Sequence, residues 1–235
     1  MEKVVITGAN RGLGYELLKK YDASHFITFP IVRTEESYEQ LLNEFPTNCY
    51  PILADLTSDD AKTKIISILS DTVDNVDILI NNAGVSGTGS FIETISTDEV
   101  NLLYNIHCIG PIRVVQACLP FMRKSVNPKI INVSSRLGSM TKNASGEFIN
   151  NHFSYSYRMA KAAQNMFSIC LSQELQSQHI TVCAIHPGQL LTRGRSPDAN
   201  TDPAMSAALI FEWINTLDIS QTGSFVHPGT GELPW

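Results

Sequence analysis

The sequence contains no long apolar run and no block of basic residues. Its uninterrupted apolar stretches are short, such as Ile78-Leu79-Ile80, whereas a membrane-spanning helix needs about 20 apolar residues. Lysine and arginine total 17 against 23 acidic residues, and the net charge of −6 argues against nucleic acid or an anionic membrane surface as a partner. The chain begins directly with a strand pattern and lacks the layout of a signal peptide, so we expect a cytoplasmic protein.

Cysteine is scarce, and its spacing indicates neither a disulfide framework nor a metal site. The five cysteines are an odd number and form no C-x-x-C pair. Most have apolar neighbours, so we expect reduced core residues and no bound metal.

What the sequence does contain is an alternation of strand and helix patterns. Apolar residues make up 43% of 235 residues, enough for the core of a single domain spanning residues 1–235. The alternation predicts an α/β fold, a Rossmann-like doubly wound parallel sheet of about seven strands with helices on both faces. Ligands bind such sheets beyond the carboxyl ends of the strands, so the residues that follow each strand are the informative ones.

Two prolines interrupt this pattern. Pro30 lies within the second expected strand, residues 25–32, and cannot donate a ladder hydrogen bond, so either a bulge lies there or the strand ends early. Pro111 is expected to kink or split a long helix at residues 96–124. Ser96, with Glu99 three residues later, indicates the start of that helix.

The first strand ends in a glycine-rich turn, Thr7-Gly8-Ala9-Asn10-Arg11-Gly12-Leu13-Gly14. Glycine permits a tight turn and a close approach of the backbone to a ligand, and the N-terminus of the following helix attracts phosphate. The spacing differs from the common G-x-G-x-x-G fingerprint. At the start of a parallel α/β chain, a nucleotide-binding turn is favoured over a turn without a ligand.

A tyrosine and a lysine four residues apart provide the chemistry. On a helix Tyr157 and Lys161 lie on one face, where the ammonium is expected to lower the phenol pKa from about 10 toward neutrality. A phenol with such a pKa can exchange a proton at working pH. The pair is also common on ordinary helices, so it is weak evidence alone. Tyr155 lies on the opposite side from Lys161 and is expected to be a packing or pocket residue.

Together these motifs resemble the short-chain dehydrogenase/reductase family over essentially the whole chain. The T-G-x-x-x-G-x-G turn and Tyr157-x-x-Ala160-Lys161 carry the resemblance, with further family marks in order after successive strands. Within the family the chain is similar to small carbonyl reductases of the sniffer and C-factor type, on the evidence of residues 10–14, 117–120, 130–135 and 223–235.

The resemblance implies residue roles. Tyr157 becomes the proton donor, Lys161 its partner and a ligand of the nicotinamide ribose, Ser135 a donor to the carbonyl oxygen, and Asn105 the holder of a water that relays protons to Lys161. A helix-interior polar residue is the alternative for Asn105. The implied cofactor-binding residues are Gly8, Asn10, Arg11, Gly12, Leu13, Gly14, Arg33, Asp55, Leu56, Asn82, Ala83, Gly84, Tyr157, Lys161, Pro187, Gly188 and Thr192.

Three serines compete for the catalytic position. Adjacent strand side chains face opposite ways, so Ser134 and Ser135 cannot both face the substrate. The family position favours Ser135, which leaves Ser134 a structural role and Ser139 a place in the pocket wall. The segment between Ser135 and Tyr157 is longer than is common in the family, and its residues 140–153 form either a substrate-facing excursion or a surface loop.

The end of the second strand favours NADPH over NADH as the cofactor. Users of NADH need an acid there for the ribose 2′-hydroxyl, whereas a 2′-phosphate favours arginine. Arg33 occupies that region, and Arg11 is a second cation, so the two can chelate a phosphate. The interruption at Pro30 leaves the position of Arg33 open by a residue or two.

The expected activity is NADPH-dependent reduction of a small aldehyde or ketone. The substrate walls are expected at residues 85–95, 137–153 and 189–202, where Arg193 and Arg195 could meet an acidic group. The resemblance also allows a homodimer or homotetramer. The rival interpretations are a dinucleotide-binding sensor or signalling protein with little turnover, and a sugar-nucleotide epimerase or dehydratase, for which the chain is short.

Overall fold

The computed structural model describes residues 1–192 and 199–235. The strands in these residues are β1 (Lys3–Thr7), β2 (Ile27–Val32), β3 (Ile52–Leu53), β4 (Ile78–Asn81), β5 (Lys129–Val133), β6 (Thr181–Ile185), β7 (Phe225–His227) and β8 (Gly231–Glu232). The α-helices are α1 (Gly12–Ala23), α2 (Glu35–Glu44), α3 (Asp60–Thr72), α4 (Thr97–Tyr104), α5 (Gly110–Met122), α6 (Met140–Ala144), α7 (Tyr155–Leu175) and α8 (Pro203–Thr216).

The strands form one sheet in the order β3-β2-β1-β4-β5-β6-β7-β8. Every neighbouring pair is parallel except β7 and β8, which are antiparallel. This confirms the predicted doubly wound α/β fold. The eighth strand was not predicted because two residues are too short to show a strand pattern.

Side chains on alternate positions of the sheet separate the core into two layers. Val4 and Ile6 of β1 pack into the layer that includes residues of α1 and α8, whereas Val5 packs into the layer that includes residues of α3 and α5. All three are fully buried. The near-continuous apolar runs of the strands follow from this burial on both faces.

The bulge or early strand end expected at Pro30 was wrong. β2 runs through Pro30 to Val32, with Pro30 opposite Ile6 of β1. Within β2 the backbone groups of Thr28 bond toward β3, since its N–H donates to the Asn48 carbonyl at 2.8 Å. Pro30 has the same orientation as Thr28, so its missing N–H faces the β3 side, where regular pairing resumes only at Ile31 and Val32.

The long helix is split, as Pro111 predicted. A π-helical turn, Asn105–Ile109, separates α4 from α5. Pro111 has no N–H to donate to the carbonyl of His107 four residues earlier, which removes one α-helical hydrogen bond at this place. Ser96 caps α4 by accepting a hydrogen bond from the Glu99 N–H, as expected.

By length and composition, Thr97–Met122 is long and apolar enough to cross a membrane. Half of its most apolar window is buried inside the protein, and a helix of a folded core passes the same test of length and composition.

Residues 140–153 are more than a surface loop. They contain α6 and a buried phenylalanine, Phe148, whose ring meets that of Phe153 edge-on at a centroid distance of 5.8 Å. The Arg136 guanidinium lies over the Phe148 ring at 5.4 Å. The segment is therefore packed against the residues that follow β5.

Candidate active site

The glycine-rich turn is fixed to the segment that follows β4. The Asn82 side chain donates to the carbonyls of Thr7 and Gly8 at 2.9 and 3.2 Å. The Thr7 hydroxyl in turn accepts hydrogen bonds from the N–H groups of Asn82 and Ala83, both at 2.9 Å. A Cβ on Gly14 would lie 2.3 Å from the Gly8 carbonyl oxygen, so only glycine fits there. These contacts pack the turn tightly against the segment after β4, at the N-terminus of α1.

The residues that follow β6 reach the same turn. A Cβ on Gly12 would lie 3.3 Å from the Thr192 side chain, which places Thr192 against the turn. Gly188 has a φ of +94°, a conformation that favours glycine. The Pro187 carbonyl accepts a hydrogen bond from the Ser206 hydroxyl of α8.

Two of the predicted cofactor-binding residues, Leu13 and Leu56, have side chains that pack into the protein. Leu13 is 5% exposed and packs in the apolar core, so only its backbone can face a phosphate. Leu56 is partly buried against the core layer of α3 and α5, and its carbonyl accepts a hydrogen bond from Arg113.

Arg33 is the first residue after β2 and is exposed. It lies close enough to Asp55 to contribute to the low pKa of that carboxyl, which is lowered chiefly by two hydrogen bonds from Thr57. Arg11 is also exposed and precedes α1 directly. Asn10 donates to the Ser37 hydroxyl at 3.0 Å, which connects the turn to α2.

Tyr157 and Lys161 lie on the inner side of α7. The helix begins at a Ser154 cap that accepts a hydrogen bond from the Tyr157 N–H at 3.2 Å. Lys161 is 4% exposed, and its Nζ donates to the Val133 carbonyl at 2.7 Å and to Gln164 Oε1 at 2.8 Å. The same Nζ lies 5.8 Å from the centroid of the Tyr157 ring.

The expected lowering of the Tyr157 pKa was wrong for the protein alone. Desolvation raises the pKa of Tyr157 to about 12, although a hydrogen bond with Ser135 opposes this. Desolvation also lowers the pKa of Lys161 to about 7. Because burial disfavours the ammonium itself, Lys161 does not bring the phenol into the neutral range.

Ser134, Ser135 and Ser139 make different contacts. Ser134 is buried and its hydroxyl donates to Asn165, whereas Ser135 interacts with the Tyr157 phenol. Ser139 is fully buried, donates to the Pro234 carbonyl at 2.7 Å and caps α6. The structure therefore brings Ser135, alone of the three, to the phenol, and it places Ser139 in a structural contact instead of the expected pocket wall.

Tyr155 faces the other way from Tyr157. It is 37% exposed, and the Arg158 guanidinium lies over its ring at 5.1 Å. Its N–H donates to the Gly89 carbonyl at 2.8 Å, which attaches the start of α7 to the loop after β4.

The Asn105 side chain is directed toward the α3 side of the fold. Its amide donates to the Thr57 carbonyl at 3.1 Å, and its Oδ1 accepts a hydrogen bond from Arg113 at 2.7 Å. Both polar atoms of the Asn105 side chain are therefore hydrogen-bonded on the α3 side, whereas Lys161 bonds to Val133 and Gln164. The catalytic role of Asn105 stays a prediction from resemblance.

Two residues of this site were not predicted. His107, in the π-helical turn, meets the Tyr157 ring edge-on at a centroid distance of 5.4 Å. Glu99 accepts hydrogen bonds from the Thr88 N–H at 3.0 Å and from the Ser156 hydroxyl. The position of His107 four residues before Pro111 is the only sequence signal that distinguished it.

A cleft of about 340 Å³ opens near the carboxyl ends of β5, β6 and β7. Its lining is mostly polar and comes from the segments after these strands and from α6 and the turn that follows it. The lining includes Arg136, Lys142, Glu147, His186, Gly188 and His227. Arg193 and Arg195, expected near a substrate, lie outside the described residues.

Within residues 1–192 and 199–235, no group of three or more histidine, cysteine or acidic side chains is arranged to hold a metal ion.

Comparison with known proteins agrees with this geometry. A family model described as short chain dehydrogenase matches residues 2–202. The C-signal protein of Myxococcus xanthus is 33% identical over 160 residues, which cover 68% of this chain and 93% of that protein. An uncharacterized oxidoreductase of Schizosaccharomyces pombe is 30% identical over 200 residues, 84% of this chain and 75% of that one.

Solved structures show the same fold. The carbonyl reductase Sniffer of D. melanogaster superposes with a TM-score of 0.87 and 29% identity, and both chains are covered completely. The NADPH-bound carbonyl reductase from chicken fatty liver gives a TM-score of 0.90 at 24% identity, covering 100% of this chain and 99% of that one. On these grounds the protein belongs to the short-chain dehydrogenase/reductase family of NAD(P)-binding oxidoreductases.

Proposed function

We propose that this protein uses NADPH to reduce the carbonyl group of a small aldehyde or ketone. The observation that carries the proposal is the placement of Tyr157 and Ser135 in contact with each other, with buried Lys161 one helical turn away. Sniffer and the chicken protein, which share the fold, are named carbonyl reductases.

The chain offers a site that fits a dinucleotide. Gly8 and Gly14 let the turn pack closely against Ala83 and Asn82 at the N-terminus of α1, where backbone N–H groups favour a diphosphate. Such a cofactor, when bound, supplies the hydride that adds to the carbonyl carbon. Thr192 and Gly188, on the other side of the turn, fit its nicotinamide end.

Tyr157 and Ser135 act on the carbonyl oxygen. With a pKa of about 12, the Tyr157 phenol is protonated at neutral pH, as a proton donor must be. Both hydroxyls stabilise the negative charge that develops on the oxygen, and Tyr157 then donates its proton to it. Lys161, whose pKa of about 7 permits both protonation states, resupplies the proton.

Arg33 supports NADPH over NADH. It stands directly after β2, where an acid would be required for the ribose 2′-hydroxyl, and Arg11 adds a second exposed cation at the turn. Two guanidinium groups can bind a phosphate through paired hydrogen bonds.

The polar cleft of about 340 Å³ after β5, β6 and β7 is our candidate for the substrate-binding region. Arg136, which follows Ser135 directly, lies in its wall. The cytoplasmic location stays a prediction from the sequence.

The second candidate is a dinucleotide-binding signalling protein with little turnover. The observation in its favour is the 33% identity to a protein named C-signal. A binding protein needs the glycine-rich turn but has no need of a phenol in contact with a serine hydroxyl, which favours the reductase.

One assay separates the two candidates. The purified protein is mixed with NADPH and a panel of aldehydes and ketones, and the absorbance of NADPH is followed. The proposal predicts turnover with at least one compound, in parallel with the oxidation of NADPH. Tight NADPH binding with no turnover across the panel would support the signalling protein instead.

A further inference from the structure

His107 is buried against the phenol of the site. It lies in the π-helical turn and is 1% exposed. Its ring stands at 87° to that of Tyr157, with centroids 5.4 Å apart. An edge-to-face contact of this kind is a favoured arrangement of two aromatic rings and stabilises them beyond the area that it buries.

The imidazole also contacts the segment after β4. Its Nε2 lies 2.8 Å from the Val85 carbonyl oxygen, which can only accept, so we assign the proton to Nε2. The alternative, a bond from the Val85 N–H to Nε2, is longer at 3.4 Å and requires the other tautomer. A Cβ on Gly84 would lie 2.6 Å from His107 Cε1, so the ring requires glycine at that position. One side chain thus connects the reactive phenol to the backbone that adjoins Asn82 and Ala83.

The charge state of His107 follows from its neighbours. Burial and, secondly, the charge of Lys161 hold the pKa of His107 well below its usual value. The groups that titrate near it are Tyr157 and Lys161 of α7, and Val85 and Gly84 contribute only backbone. The ring is therefore neutral at working pH, and its Nδ1 is an acceptor that is buried without a hydrogen-bond partner among the described residues.

His107, and not Asn105, reaches the phenol. The two residues lie at opposite sides of the wide turn, so the Asn105 side chain meets Thr57 and Arg113 while the His107 ring meets Tyr157. π-Helical turns inside α-helices occur frequently at functional sites.

We propose that His107 is a positioning residue of the catalytic centre that fixes the Tyr157 phenol relative to the Gly84–Val85 backbone. Proton donation by Tyr157 then depends more on His107 than on Asn105. This inference rests on the proposed reductase activity. Small displacements of a reacting group are costly, since a misplacement of about 1 Å can lower a rate about 100-fold.

Three variants test it. His107→Phe keeps an aromatic edge but loses the bond to Val85. His107→Gln places an amide near the position of Nε2 and can keep that bond, whereas His107→Asn is too short to do so. We expect His107→Phe and His107→Asn to lower kcat by about 10-fold or more with KM for NADPH changed by less than about 3-fold, and His107→Gln to recover part of the loss.

Asn105→Ala provides the comparison and should lower kcat less than His107→Phe does. Wild-type kcat in both His107→Phe and His107→Asn, or a larger loss in Asn105→Ala, would overturn the inference. If circular dichroism shows that His107→Phe is unfolded, the kcat values of His107→Gln and His107→Asn test the inference by themselves.

A measurement without turnover separates this inference from the proposed function. In ¹⁵N NMR the His107 signals are assigned by their absence from the spectrum of His107→Gln. At pH 7 they should show a neutral ring with its proton on Nε2, and they should not titrate down to about pH 5.5, a unit below the ordinary histidine pKa. A cationic His107 would contradict the inference. A wild-type protein that reduces no carbonyl compound would overturn the proposed function, whatever the NMR result.

Discussion

The carboxylate of Glu99 accepts a hydrogen bond from the hydroxyl of Ser156, the residue that precedes Tyr157. Through Thr88 the same carboxylate also holds the loop after β4. A single side chain of α4 thereby connects the start of α7 to the loop after β4. The hydrogen bonds, chiefly from Ser156, lower the pKa of Glu99 to about 2.

Replacing Glu99 by glutamine should destabilise the protein at pH 7 by about 1 kcal/mol, a value reduced for partial exposure. Because the folded-state pKa lies below the ordinary value of 4.5, the contribution is present above pH 4.5 and is lost as the pH falls toward 2. Urea unfolding of the wild-type protein and Glu99→Gln should show a smaller difference in the free energy of unfolding at pH 3 than at pH 7. Glu93→Gln is the matched control, and an unchanged difference at pH 3 would contradict the assignment.

Removing the phenol of Tyr157 should abolish turnover and leave cofactor binding intact. Loss of a general acid lowers rates by about 100- to 10,000-fold. We expect Tyr157→Phe to lose kcat on this scale while the Kd for NADPH, measured by fluorescence, changes little. Tyr155→Phe is the matched control, since Tyr155 faces the outer side of α7 under Arg158. Turnover retained in Tyr157→Phe would remove the phenol from the mechanism.

Arg33 should determine the choice of cofactor. Loss of a charge-assisted hydrogen bond to a phosphate costs about 1.5–3 kcal/mol, so Arg33→Ala should weaken NADPH binding by about 10-fold or more and leave NADH binding nearly unchanged. Calorimetric titration of both cofactors measures this. Arg123→Ala, at the far end of α5 beside Gln178, controls for loss of charge. Equal or tighter binding of NADH by the wild-type protein would defeat the NADPH assignment.

Burial of Lys161 should make stability depend on pH in the alkaline range. Its pKa is about 7 in the folded protein and about 10.5 when unfolded. Between these values the unfolded chain binds more protons, so stability rises with pH across this window, and the cost of the buried ammonium is greatest below pH 7. Lys161→Met should remove this part of the slope.

The measurement is the free energy of unfolding of both proteins at pH 6, 8 and 10, without cofactor. The free energy of unfolding of the wild-type protein, relative to that of Lys161→Met, should increase as the pH rises. Parallel curves would show that Lys161 is solvated in the folded protein. Lys142→Met, which loses a contact with Glu147 near the surface, provides the control.

Local patterns were sufficient to predict the fold. The alternation of buried strands with helices implied a parallel sheet, and Ser96 and Pro111 indicated where the long helix begins and breaks. Pro30 was misjudged because a strand has two hydrogen-bonding sides. Only the neighbouring strands show which side lacks a donor, and here it faces β3.

Some features of the site could likewise be predicted from local patterns, and others could not. Tyr157, Lys161 and the glycine-rich turn follow from helical spacing and turn chemistry, which act between residues close in the chain. The raised pKa of Tyr157, the contacts of Glu99 with α7, and the presence of His107 instead of Asn105 at the phenol depend on distant segments.

The sheet, the phenol with its lysine, and the turn expected to bind phosphate could therefore be predicted from the sequence by itself, because each is set by the order of neighbouring residues. Which side chains surround that phenol depends instead on contacts between segments that are far apart in the chain. His107, in the π-helical turn between α4 and α5, meets Tyr157 of α7, whereas Asn105, two residues earlier, faces Thr57 and Arg113 on the other side.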